Sequence, residues 1–227
     1  MPASENYLQL KAHVKALSQQ YGRQVDDIKI IAVTKNHSWE TIAPVYLSGC
    51  TDFGENRVQE ALAKQQLAPH DIHWHLIGTL QANKIGKVLG KFSLIHSIDS
   101  LMLAEKLSRK SLEAGLKTSI LLQVNTSGEA TKHGWTLEAC RRDYEKMLAF
   151  SGISIEGLMT MASDTHDEKT VRMCFSNLRH LQETLAQEGG RLLPQLSMGM
   201  SNDYPWAIAE GATMLRIGTS IFGQRDF

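Results

Sequence analysis

IKIIAVTK, residues 28–35, is a mainly apolar run that ends on the ammonium group of Lys35. Its β-branched residues favour a strand buried on both sides, as in the parallel sheets of α/β proteins. Ile31, Val33 and Lys35 alternate and share one face. Lys35 therefore stands where the strand should stop, the place at which α/β folds collect their chemistry. A desolvated lysine there loses basicity and can attack a carbonyl. The plainer alternative is an amine that snorkels into water.

Seven further segments read the same way: 51–56, 73–78, 93–99, 118–125, 153–159, 195–199 and 213–220. Helical spacing fills the intervals over 41–49, 58–67, 100–115, 137–152, 171–187 and 203–212. In the 100–115 segment Leu101, Ala104 and Leu107 line one face, with Ser100 placed as a cap. Gly115, Gly152 and Gly211 are expected to stop helices. Eight β–α repeats are the number that closes a (β/α)8 TIM-type barrel, and the amphipathic N-terminus supplies an extra helix. An open doubly wound sheet would usually carry a Gly-rich turn after its first strand, and TKNHSWE is not one. The 227 residues contain no linker or low-complexity tract, so a single domain, 1–227, is expected.

Composition narrows the function. Lys plus Arg equals Asp plus Glu at 24 each, which gives no electrostatic case for nucleic acid or an anionic membrane. No apolar stretch approaches the roughly 20 residues of a membrane span. The N-terminus lacks the apolar core of a signal peptide, so a cytoplasmic protein is expected. Cys50, Cys140 and Cys174 are scattered and suit reduced packing thiols. His73 and His75 alternate on one strand, but a lone H-x-H lacks the further ligands a metal needs, so no metal site is expected.

In a closed barrel the strand ends share a rim. There the sequence places Lys35, Asn56 from FGEN, Ser197, Met200 and Ser201 from SMGMS, and Arg216, Gly218 and Thr219 from MLRIGTS. Loops after strands seven and eight of such barrels commonly bind phosphate. Ser201 and Asn202 precede a helix, where they either cap it or share its free N–H groups with an anion. Arg216 alternates with Gly218 on strand eight and needs an acceptor, either a carboxylate or a ligand heteroatom. An amine, an anion site and a buried guanidinium match the aldehyde, phosphate and ring nitrogen of pyridoxal 5′-phosphate (PLP).

AVTK (32–35), FGENRVQE (53–60), WHLIGTLQANK (74–84), HSID (96–99), QVNTSGEATKHGW (123–135), GLMTM (157–161), LSMGMSND (196–203) and MLRIGTSIFG (214–223) together resemble the pyridoxal phosphate homeostasis protein family, over the whole chain. The resemblance implies a single barrel like the N-terminal domain of alanine racemase. It also implies covalent PLP binding in vitamin B6 and amino-acid homeostasis, without robust catalysis. Residue by residue it implies Lys35 as the Schiff-base lysine, Ser201, Gly218 and Thr219 at the phosphate, Arg216 at the pyridine nitrogen and Asn56 beside the ring. Ser197 and Met200 lie in the matching loop, and Lys132 matches a mobile surface lysine segment whose role stays open. Thr79, Ala82 and Asn36-His37-Ser38 depart from the family pattern without removing a cofactor position. The expected partners are PLP and, as candidate recipients, PLP-dependent apo-enzymes; a monomer is expected. An amino-acid racemase is the alternative. Such enzymes use a second base, usually a tyrosine from an additional β-domain. Tyr7, Tyr21, Tyr46, Tyr144 and Tyr204 all fall in or beside expected helices, and the chain ends at Phe227 without a second domain, so no catalytic residue is assigned.

Overall fold

The computed structural model describes residues 1–223. Strands β1 (Lys29–Val33), β2 (Asp52–Glu55), β3 (His73–Leu76), β4 (Leu94–Ile98), β5 (Thr118–Gln123), β6 (Ile153–Met159), β7 (Gln195–Ser197) and β8 (Met214–Ile217) form a closed parallel barrel in chain order. Closure is made by β1 and β8, with Ile31 opposite Arg216. Helices α1 (Ala3–Gln20), α2 (Trp39–Leu47), α3 (Val58–Gln65), α4 (Ile85–Val88), α5 (Leu101–Glu113), α6 (Leu137–Leu148), α7 (Glu168–Glu188), α8 (Tyr204–Ala209) and α9 (Thr219–Phe222) complete the repeats. The expected extra helix is α1, which buries Tyr7, Leu10 and Val14 and packs on α2, α8 and α9.

Strand alternation sorts the core. Ala32, Phe53, Ile95, Leu122, Leu196 and Leu215 join the large apolar cluster beneath the helices. Their alternates Ile31, Leu94, Leu121, Met159 and Met214 make a separate small cluster, which parity places inside the barrel.

Helix ends follow local chemistry in part. Thr136 caps α6 by accepting from Ala139 N–H at 3.1 Å, and Asp167 caps α7 by accepting from Thr170 N–H at 3.1 Å. Ser100 occupies the cap position of α5 but makes no side-chain capping bond. Gly115 and Gly211 follow α5 and α8 as expected; α6 stops at Leu148, so Gly152 belongs instead to the turn into β6. There it abuts the Ser108 carbonyl, which leaves no room for a side chain. The expected strands run past their true ends, most clearly at β8. The ladder ends at Ile217, Gly218 caps the short α9, and Thr219 is helical. Parity along β8 therefore does not extend to Gly218. Apolar and glycine residues mark a strand's direction, but pairing stops where the barrel rim splays into loops.

Candidate functional site

A cavity of about 470 Å³ opens at the carboxyl rim of the barrel. It lies within the 300–1,000 Å³ range of small-molecule sites. Its wall includes Lys35 after β1, Asn56 after β2, Met200 and Ser201 after β7, and Arg216, Gly218 and Thr219 from β8 and its loop. A larger depression of about 670 Å³ lies elsewhere, lined by Leu62, Trp74 and Phe92 among others. The rim cavity is the chemical candidate because an amine, a guanidinium and small hydroxyl and glycine residues converge on it.

Lys35 is half-buried and sits in the turn just past β1, followed by Asn36 in the left-handed region at φ 65°. The backbone of this turn is clamped from behind. Lys64 Nζ, 6 % exposed with its residue, donates to the Thr34 carbonyl at 2.7 Å and to the carboxylates of Glu55 and Glu60. Glu60 also accepts from the Asn36 N–H, and the Thr34 hydroxyl donates to Glu55. Burial pushes the Glu55 carboxyl up, and the bonds from Lys64 and Thr34 offset this only in part. The clamp fixes the direction in which Lys35 leaves β1.

On the neighbouring strand β8, Arg216 is 5 % exposed. Its partners are two neutral acceptors rather than a carboxylate: Nη1 donates to Ser197 Oγ at 2.7 Å and Nη2 to the Thr160 carbonyl at 2.8 Å. Burial lowers its pKa to about 10, against a smaller opposing pull from Asp203, so it stays charged at neutral pH. Ser197 is fully buried and stands behind Arg216 rather than on the cavity wall. Thr160, which alternation alone could not single out, shares that task.

The loops after β7 and β8 are tied together. Ser201 does not cap α8, whose cap position is Asp203. Its hydroxyl accepts from Ser220 N–H across the gap at 3.2 Å, which brings Ser201, Gly218 and Thr219 side by side. Asp203 accepts from Met200 N–H and folds this loop back. Gly199 makes the fold possible: its φ is 92°, and an added Cβ would lie 2.6 Å from Ala207 Cβ. Part of the wall comes from residues not anticipated, Met161 to His166 after β6. Lys132 reaches the cavity too, bonded to Glu129 at 2.9 Å and to the Ala162 carbonyl at 2.7 Å, so it anchors one loop to another. His75 is buried with its ring nitrogens on Asp52 and His96, whereas His73 is exposed; among the described residues no three metal-ligating side chains cluster.

A family model for the alanine racemase N-terminal domain matches residues 6–226. A pyridoxal phosphate homeostasis protein from Aquifex aeolicus is 37 % identical over 228 residues, covering all of both chains. One from Synechocystis is 41 % identical, covering 87 % of this chain and 92 % of the relative. The chain belongs to the pyridoxal phosphate homeostasis protein family. Among solved structures, a family member from Synechococcus elongatus, PipY, with PLP bound, superposes with a TM-score of 0.82 at 38 % identity, covering 92 % of this chain and 99 % of that one. The alanine racemase of Clostridium difficile shares the fold, with a TM-score of 0.77 at 17 % identity; this chain covers 58 % of its length. Among the described residues no helix is long and apolar enough to cross a membrane.

Proposed function

We propose that this chain is a cytoplasmic PLP-binding protein that serves PLP and amino-acid homeostasis, with PLP-dependent apo-enzymes as candidate recipients, and that it does not turn substrates over. One observation carries the reading: Lys35, Arg216 and the Ser201–Gly218–Thr219 group line one cavity of ligand size. The donor set fits the cofactor part by part. Lys35 would hold the aldehyde carbon, Ser201 with the backbone of Gly218 and Thr219 the phosphate, and Arg216 the ring nitrogen, while Asn56 and Met200 flank the ring. Ser197 acts through Arg216. When bound, PLP supplies a carbonyl that takes up amines and a ring that withdraws electrons. Arg216 donates and cannot accept, so it would favour an unprotonated ring nitrogen and restrain that withdrawal.

Among the described residues no tyrosine lines the cavity with Lys35 to move a second proton. Tyr204 bonds His13 at 2.6 Å, Tyr46 bonds Asp71, Tyr7 and Tyr144 are buried under helices, and none lines the cavity. The test is borohydride reduction of the PLP-loaded protein followed by peptide mass analysis. A reduced pyridoxyl group on Lys35, lost in Lys35→Ala, is expected; an equal yield of adduct in the variant refutes the assignment. Exchange of alanine's α-proton in deuterated buffer by the loaded protein would favour the racemase reading instead.

A further inference from the structure

A continuous line of polar side chains runs through the barrel interior, away from the cavity. Asp52 Oδ1 lies 3.0 Å from His75 Nε2, His75 Nδ1 lies 3.0 Å from His96 Nε2, and His96 Nδ1 lies 2.9 Å from Ser197 Oγ. Ser197 Oγ in turn accepts from Arg216 at 2.7 Å. All five residues are under 9 % exposed. They come from β2, β3, β4, β7 and β8. Asp52 opens β2 at the amino end of the barrel, while Arg216 lies at the cavity.

The two ends fix the direction of every proton between them. A carboxylate only accepts, so His75 must donate from Nε2. A guanidinium only donates, so Ser197 Oγ must accept from Arg216. With His75 neutral, its Nδ1 is bare and accepts from His96 Nε2–H. The bare Nδ1 of His96 then takes the Ser197 hydroxyl proton. Each link holds one hydrogen and none is left over. The opposite polarity would charge His75 and turn the Ser197 hydroxyl proton off the line, where it has no further acceptor among the described residues. Burial opposes that charge. It lowers the His75 pKa despite the bond to Asp52, and, helped by His75 and Arg216, lowers that of His96 far more.

We propose that Arg216, Ser197, His96, His75 and Asp52 form one polarised hydrogen-bond relay, in which Asp52 is the remote counter-charge that sets the direction of the hydrogen bonds behind Arg216. The four residues behind Arg216 are positioning residues. Each donor is strengthened by the one behind it, as in any aligned chain in a low dielectric. The carboxylate end is held by Lys29 Nζ at 3.0 Å and faced by His73 Nδ1 at 3.6 Å, and Tyr7 and Cys50 lie nearby. The other end faces Asp203 and the Thr160 carbonyl. The inference holds for the protein with an empty cavity and does not depend on the ligand.

The test is nitrogen NMR of ligand-free protein, read at the imidazole rings and the Arg216 guanidinium. Both rings are expected neutral with hydrogen on Nε2 at pH 7. A doubly protonated His75, or hydrogen on Nδ1 of His96, overturns the relay. Asp52→Asn keeps an acceptor oxygen but removes the charge. It is expected to shift the His96 nitrogens and the Arg216 Nη1 signal, although neither residue touches Asp52; a change confined to His75 overturns the proposal. Ser197→Ala, which deletes one oxygen, is expected to move His96 Nδ1 and free Arg216 Nη1, with a smaller shift at His75. Unchanged His96 and Arg216 signals in that variant also overturn it.

Discussion

The two interior histidines make stability fall on mild acidification. In the folded barrel burial holds His96 far below, and His75 below, the ordinary imidazole value. The unfolded chain binds protons that the folded chain refuses, so stability is complete above about pH 6.5 and is lost as pH falls through it. A histidine that stays neutral when folded costs about 1.3 kcal/mol between pH 7 and pH 5.5, by integration from an unfolded pKa of about 6.5. His96 contributes that full amount and His75 up to as much again, so a loss of about 1.3 to 2.5 kcal/mol is expected. This is a large share of the 5–15 kcal/mol typical of a folded domain. Asp52 does not contribute in this window. Burial raises its carboxyl, but the bonds from His75 and Lys29 more than reverse that, so its contribution disappears only in stronger acid. The assay is urea unfolding of ligand-free protein at pH 7.0, 6.2 and 5.5, with His96→Gln beside it. The variant should be less stable at every pH but should lose about 1.3 kcal/mol of the slope. A stability that stays flat or rises toward pH 5.5, or a variant that keeps the parental slope, would refute the reasoning.

Removing Lys64 should be severe. Lys64→Ala strands the fully buried Glu55 carboxylate, and a loss of about 3–5 kcal/mol in urea unfolding is expected. Replacing both partners, Glu55→Leu with Lys64→Met, should recover a good part of it, since apolar pairs of similar volume substitute well. Gly157→Ala should disrupt β6–β7 pairing, because its Cβ would sit 1.9 Å from the Gln195 carbonyl oxygen at a φ of 157°. Gly86→Ala, with open space around it in α4, should instead gain up to about 1 kcal/mol. Thermal unfolding of the two variants side by side decides both. Phe53→Ala, at a fully buried position against Trp74, should cost about 3–5 kcal/mol by chemical denaturation.

Much of the candidate site's lining is legible in the sequence. Lys35, Asn56, Met200, Ser201, Arg216, Gly218 and Thr219 all reach the cavity, because each follows or ends a strand whose direction its apolar residues declare. Ser197 illustrates the limit. Its parity was readable and faces inward, yet depth along the barrel decides whether an inward side chain meets ligand or another side chain. It meets Arg216 and His96. Ser201 shows a second limit: local sequence allowed a helix cap, and only the neighbouring β8 loop supplies the Ser220 N–H it accepts from instead.

The sequence alone determined the alternation of strand and helix, the count that closes the barrel, and the chemistry carried to the rim. These depend on periods of two and 3.6 residues and on turn chemistry, which are local properties of the chain. Only the tertiary structure decided which inward side chains touch. Asp52, His75, His96, Ser197 and Arg216 are separated by up to 164 residues in sequence, since 216 − 52 = 164, and they meet through the stagger of eight closed strands. That stagger depends on every pairing in the barrel at once, so no single segment encodes it.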